Sequence, residues 1–209
     1  MNNIRSKPRM NVRRIAVTGI LSALAILLSL VPSLGYIPLG PITITTMHIP
    51  VIIAAILEGP VVGGIVGLIF GLSSIYMAAT VYAALPTSVF FLNPLVSVLP
   101  RILIGIIAYY VYTGIKKLWN PRTIATVAAA LAGTMTNTIG VLGMIYILYA
   151  QQYVDAIVKA AEAEGGSVVV TSAFAVIFGG VAINMIAEIL MAAFICTPVV
   201  LAVLKNRKQ

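Results

Sequence analysis

Acidic side chains are scarce in this 209-residue chain: five Asp and Glu in all, with charged residues of either sign making up only 9%. Soluble globular domains carry roughly 25% charged residues, so the chain lacks the polar surface it would need to face water on every side. With 61% apolar residues and a mean hydropathy of +1.10, its main solvent is expected to be lipid. A secreted, cytosolic or disordered protein is thereby excluded. Cysteine occurs once, at Cys196, which excludes an intramolecular disulfide framework and a thiolate zinc site. Histidine also occurs once, at His48, and a single histidine without clustered carboxylates predicts no metal site. Also missing are G-x-S-x-G, H-E-x-x-H, a Walker-type phosphate loop and G-x-G-x-x-G after a strand. No enzyme and no cofactor are therefore expected, and without a nucleotide site the chain cannot drive uphill transport by hydrolysis, so any energy must come from an ion gradient or a partner.

The charge that is present lies in clusters. Five of the 13 Lys and Arg fall within the first fourteen positions (Arg5, Lys7, Arg9, Arg13, Arg14). Lys116, Lys117 and Arg122 flank a short polar break, and Lys205, Arg207 and Lys208 form the tail. Segments 32–47 and 81–93 carry no cation. This is the positive-inside pattern, which predicts a cytoplasmic amino-terminal stretch (1–12), 116–122 loop and tail (205–209). A nucleic-acid patch would interleave aromatics and polar groups with the cations on a folded surface, so no nucleic-acid partner is expected despite a net charge of +8. The apolar run 15–31 follows basic residues as a signal peptide would, but it is too long, lacks an A-x-A site and precedes further apolar segments. It reads as a first membrane span.

A helix needs about 20 apolar residues to cross roughly 30 Å of hydrocarbon. Residues 13–31, 94–115, 122–149 and 171–204 meet that length, while the apolar stretch 48–80 is interrupted at Glu58-Gly59-Pro60. With both ends cytoplasmic, 48–80 makes two crossings or none. Two crossings predict an all-α integral membrane protein, a single domain over 1–209, with six transmembrane helices in a compact bundle and both termini cytoplasmic. No crossings would leave four helices and a re-entrant hairpin. The second helix would then run only from Ile49 to Glu58, about 15 Å. The loop before it, 42–48, would have to descend into the membrane, where irregular backbone is tolerated only if buried or lining a cavity. Short and broken helices of this kind point to a transporter's binding site. Thr46 is expected to cap the half-helix, Pro50 suits its first turn, and its free N–H groups would favour an anion. Gly63, Gly67 and Gly71 give the third helix one face without side chains, for packing within the chain or against another copy. Gly19 and Ala23 form a looser small-residue pair on the first helix. The polar stretch 150–167 is expected outside, as a short amphipathic helix over the outer mouth, and the stretch 171–204, too long for one upright crossing, is expected to tilt, bend at Gly179-Gly180 or protrude.

Few polar side chains fall inside the spans, and each has a structural and a functional reading. Arg101 lies seven residues after Pro94, roughly 10 Å deep; it either snorkels, pairs with Glu188, or holds a carboxylate or phosphate of a ligand. Asn184 and Glu188 share a face, being four apart. Asn137, mid-helix among Thr134, Thr136 and Thr138, is interhelical glue or a ligand contact. His48 is a hydrogen-bonded structural residue or a site residue, and Asn93, before Pro94, reads as a helix cap at the mouth.

Three stretches are shared with a known family: T-I-T-T-M-H-I-P-V-I-I-A-A-I-L-E-G-P, then G-G-I-V-G-L-I-F-G, then L-N-P-L-V-S-V-L-P-R-I-L-I-G. With six helices and basic cytoplasmic ends, the whole chain resembles the substrate-binding S-components of energy-coupling factor (ECF) vitamin transporters, most closely the pantothenate type. The resemblance implies a vitamin-binding subunit of the bacterial cell membrane that lacks an ATPase and works with a transmembrane coupling subunit and two cytoplasmic ATPases. It implies a vitamin site in the outward half of the bundle, with Arg101 on a pantothenate carboxylate and Asn137, Asn184 and His48 on its hydroxyls and amide; Thr46, Glu188 and Asn93 complete the candidate set. It also implies that Gly19-x-x-x-Ala23 docks the coupling subunit, in place of the family's A-x-x-x-A. The alternatives are an S-component for riboflavin, folate, a thiamine precursor or pyridoxine, and a self-sufficient small carrier or channel assembled through its glycine face. An intramembrane enzyme is a third, remote reading.

Overall fold

A ten-residue helix sits at the centre of the structure with every other long helix around it. The structure is a computed structural model that describes residues 12–39, 42–119, 121–163, 165–166, 170, 172–179 and 181–206. In chain order its elements are α1 (Val12–Leu30), α2 (Pro32–Gly35), β1 (Tyr36–Leu39), β2 (Ile42–Thr45), α3 (Ile49–Glu58), α4 (Pro60–Ala79), α5 (Pro94–Ser97), α6 (Leu99–Leu118), α7 (Arg122–Ala163), α8 (Ala173–Phe178) and α9 (Val181–Asn206), with a 3-10 turn at Ser88–Leu92. Helices α1, α4, α5–α6, α7 and α9 are long and apolar enough to cross a membrane, whereas α3 is an apolar helix too short to do so alone. Val51, Ile52, Ala54 and Ala55 of α3 are wholly buried, and α1, α4, α6, α7 and α9 all pack against it. The outer faces remain apolar: Phe194 of α9 is 78% exposed and Val61 of α4 is 70% exposed. In a water-soluble protein such faces would need cover, and in lipid they are already solvated.

The break between α3 and α4 forms as its residues dictate. Gly59 takes φ +100°, which a residue with a β-carbon adopts only under strain, and Pro60 opens α4, where a missing N–H costs nothing. Glu58 there receives Arg14 at 3.5 Å and Arg13 at 3.9 Å, and the Arg14 guanidinium also donates to the Glu58 carbonyl at 2.8 Å. Arg122 donates to the Leu204 carbonyl at 3.4 Å, which brings the start of α7 beside the end of α9. This end of the bundle is the basic end; the other carries the β1–β2 hairpin.

The glycine face of α4 is used inside the chain. A β-carbon on Gly67 would strike the carbonyl of Arg101, one on Gly71 would meet Val98, and Gly63 lies against Ala55 and Gly105. The antiparallel helices α4 and α6 therefore touch backbone to backbone, as small residues permit.

Several boundaries differ from expectation. Segment 36–45 is an antiparallel hairpin, with Tyr36 opposite Thr45, so the helical body carries one small two-stranded sheet. Extended backbone at this point satisfies its own polar groups by pairing. The stretch 150–167, expected as a short helix, is helical as far as Ala163 and is set off from the span before it by a non-helical Tyr149 (φ −141°, ψ 20°), so that Arg122–Ala163 is two helices joined at a kink. The bend expected at Gly179-Gly180 coincides with the end of α8 at Phe178, where Gly179 is the C-cap. Gly180 lies outside the described residues, as do 1–11 and 207–209 of the basic ends.

Candidate functional site

Arg101 owes its position to a helix break. Asn93 caps α5 by accepting from the Leu95 N–H at 2.9 Å, Val98 separates α5 from α6, and Arg101 follows in the first turn of α6. Helix side chains lean toward the amino terminus of their helix, so Arg101 reaches back, donating from Nη1 to the Val96 carbonyl at 2.6 Å. Its guanidinium carbon lies 5.5 Å from the centroid of the Phe70 ring. The residue is 6% exposed, so it is neither snorkelling nor facing lipid.

Beside it is a cavity of about 340 Å³ between α1, α4, α6 and the 80–92 segment. Its polar lining comes from Arg101, Ser29, Ser74, Tyr82, Thr87 and Ser88, and its apolar walls from Met77, Ala78, Leu85 and Phe91. A mostly apolar, half-open cleft with a few polar groups is how small-molecule sites are built, and its volume falls at the small end of the usual range of about 300–1,000 Å³. Burial raises the Tyr82 phenol above its ordinary value, which keeps it a neutral hydroxyl. Two hydrogen bonds fix the rim: Ser97 Oγ donates to the Phe91 carbonyl at 2.5 Å, and Asn93 Nδ2 donates to the Tyr149 hydroxyl at 2.8 Å. Asn93 is thus both the expected cap and a tether for the kink in α7.

The remaining candidates are held by β2, the start of α3, α7 and α9, with His48 close enough to Arg101 to feel its charge. Glu188 of α9 accepts from the Thr45 N–H at 3.0 Å, from the Thr45 hydroxyl, and from the Thr138 hydroxyl at 3.3 Å. Its carboxylate therefore ties the hairpin to α7 and α9 and does not pair with Arg101. His48, fully buried, hydrogen-bonds Thr134 Oγ1 through Nε2 at 3.0 Å. His48 Nδ1 and Asn137 Oδ1 are buried with no hydrogen-bond partner among the described residues. Asn184 lies half-buried one turn before Glu188. None of these residues lines the Arg101 cavity.

Thr46 does not cap α3. Its hydroxyl donates to the Leu34 carbonyl at 2.8 Å, and the N-cap position is His48, which makes no side-chain cap bond. The chain turns at 46–48 with the Ile49 N–H already given to the Thr46 carbonyl at 3.0 Å, and Pro50 has no N–H to offer, so the expected anion-binding helix end is depleted. Gly19 and Ala23 are exposed on the outer face of α1, with nothing near the space a Gly19 β-carbon would fill.

Sequence reasoning missed the hydroxyls of the cavity and the partners Thr45, Thr134 and Thr138. Thr134 and Thr138 flank Asn137 at i−3 and i+1, which places them on neighbouring faces of one helix. That spacing was the one signal available, since serine and threonine in a span ordinarily satisfy themselves on their own helix, as Thr126 does on the Arg122 carbonyl at 2.8 Å.

Long apolar helices around a half-open, partly polar cavity are the architecture of a solute-binding membrane protein. Residues 13–200 match the family described as "ECF transporter, substrate-specific component", and the chain belongs to that family. It is similar to a Lactococcus lactis subsp. cremoris protein named pantothenic acid transporter PanT, 32% identical over 183 residues that make up 81% of this chain and 82% of the other. It is also similar to the pantothenate transporter PanT of Leuconostoc mesenteroides subsp. mesenteroides, 32% identical over 136 residues, 61% of this chain and 65% of that one.

Proposed function

We propose that the chain binds pantothenate for import, pairing its carboxylate with Arg101. The observation that carries this reading is a buried arginine on the wall of a half-open cavity. A guanidinium held away from water is matched to a carboxylate, and pantothenate is an anion rich in hydroxyl and amide groups. The hydroxyls of Ser29, Ser74, Thr87 and Ser88 are at hand for its polar body. His48 and Asn137 each retain a buried hydrogen-bonding atom without a partner among the described residues, and, although outside the cavity lining, they and Asn184 are proposed for the ligand's amide and hydroxyls.

In this reading the basic end faces the cytoplasm of a bacterial cell, α3 makes a partial second crossing, and the hairpin end opens outward. Uphill movement is supplied by a transmembrane coupling subunit and two ATPases, and the outward apolar face of α1 around Gly19 and Ala23 docks the coupling subunit. A self-sufficient carrier assembled through the glycine stripe has less support, because Gly63, Gly67 and Gly71 already meet α3 and the α5–α6 region of the same chain.

The test is calorimetric titration of the detergent-purified protein with pantothenate and with its alcohol analogue, which carries a hydroxymethyl in place of the carboxylate. Truncating one partner of a buried charge pair costs about 2–5 kcal/mol, about 30-fold to several-thousand-fold in Kd. Arg101→Ala should lose pantothenate binding by that factor and leave the weaker binding of the alcohol unchanged. Unaltered pantothenate affinity in a folded Arg101→Ala protein removes Arg101 from the site.

A further inference from the structure

We infer that Phe70 is a positioning residue for the ligand-binding guanidinium of Arg101; the inference rests on the reading of Arg101 as the carboxylate partner. Nothing in the sequence separates Phe70 from the other apolar residues of α4. Its role comes from how α4 and α6 meet. Gly67 lies against the backbone of Arg101 so closely that a β-carbon there would strike the Arg101 carbonyl. Phe70 is three residues further along α4, about 4.5 Å nearer the hairpin end. The Arg101 side chain leans in that same direction, because α6 runs antiparallel to α4 and its side chains tilt toward its amino terminus. The ring therefore comes under the guanidinium, with 5.5 Å between the centroid and the guanidinium carbon.

Among the contacts that hold the side chain, the Val96 carbonyl takes Nη1 at 2.6 Å, and the Phe70 ring, itself 4% exposed, supports the cation. A cation against an aromatic face is favoured most where water is excluded. The ring is fixed in turn by its own helix turn, and the Phe70 carbonyl accepts from the cavity-lining Ser74 hydroxyl at 3.0 Å. Arginine has many rotamers, and immobilising such a side chain on binding weakens affinity; a side chain already held avoids that loss. Leucine at this position would keep the apolar contact and lose the face that orients the cation.

Phe70→Leu is expected to weaken pantothenate binding about two- to twelve-fold, the cost of ordering one long side chain. Binding of the neutral alcohol should be unchanged, since it does not use the guanidinium. Phe70→Tyr, which keeps the ring face, should restore pantothenate affinity, and in an Arg101→Ala background Phe70→Leu should have no further effect. These titrations, with a thermal melt of each variant to confirm folding, distinguish the failures. If Arg101→Ala loses pantothenate while Phe70→Leu binds it like the parent, or if Phe70→Leu weakens the alcohol equally, the positioning role is wrong and the site reading stands. Pantothenate binding unchanged by Arg101→Ala overturns the site reading, and the role of Phe70 with it.

Discussion

Substituting Gly67 by alanine tests whether the backbone contact between α4 and α6 sets the geometry of the cavity wall. The added β-carbon would lie 2.8 Å from the Arg101 carbonyl carbon and 3.1 Å from Ile102 Cα, and closer still to the Arg101 carbonyl oxygen. These are backbone atoms of a helix, so no rotamer change relieves them. Carbon atoms pack best at about 3.5–4.0 Å, so the helices must part by at least about half an ångström. Overpacking of this kind costs about 1–3 kcal/mol. Gly64, three residues earlier, supplies the control, because its β-carbon would meet nothing nearer than Ile102 Cγ2 at 3.8 Å. Both variants gain the same helix propensity, about 1 kcal/mol relative to glycine, so their difference isolates the contact. At about 2–4 °C per kcal/mol for a chain of this size, Gly67→Ala should melt roughly 2–12 °C below Gly64→Ala in detergent. It should also bind pantothenate more weakly, because the displaced backbone carries Arg101. Equal melting temperatures for the two would refute the claim that α4 and α6 are in backbone contact at Arg101.

Two further outcomes are expected. Glu188→Ala would leave the Thr45 N–H and two hydroxyls without their acceptor, at about 1–3 kcal/mol for a buried orphaned donor; its melting point should fall and limited proteolysis should cut within 36–45, while Glu188→Gln, keeping one acceptor oxygen, should fall less. An uncut Glu188→Ala protein would mean the hairpin is held by something else. Gly19→Leu or Ala23→Leu, on the exposed face of α1, should leave binding by the isolated chain unchanged and lower vesicle uptake by the complete transporter, and the reverse pattern would refute a docking role for that face.

Much of the architecture was legible in the sequence because it depends on short-range terms. Hydropathy over windows of about 20 residues marks the long helices, since lipid solvates apolar side chains whatever they pack against. The α3–α4 break was legible at Gly59-Pro60, and the α5 cap at Asn93-Pro94, because left-handed backbone, a missing N–H and a capping side chain are properties of single residues. Thr46 was misread for the complementary reason. A threonine before a helix usually caps it, but here the Leu34 carbonyl, twelve residues away, claims the hydroxyl.

By itself, then, the sequence determined that the chain lives in lipid, roughly where its long apolar helices lie, that α3 falls short of a full crossing, and that Arg101 and Glu188 are too costly to be incidental. Only the tertiary structure decided which groups meet: Arg101 on a cavity wall with Phe70 and Val96, Glu188 on Thr45 and Thr138. Helical period states which face a side chain occupies but not what lies opposite, and the partner of Glu188 at Thr45 is 143 residues distant along the chain. That choice belongs to the way the helices pack against one another, which no local property of the chain encodes.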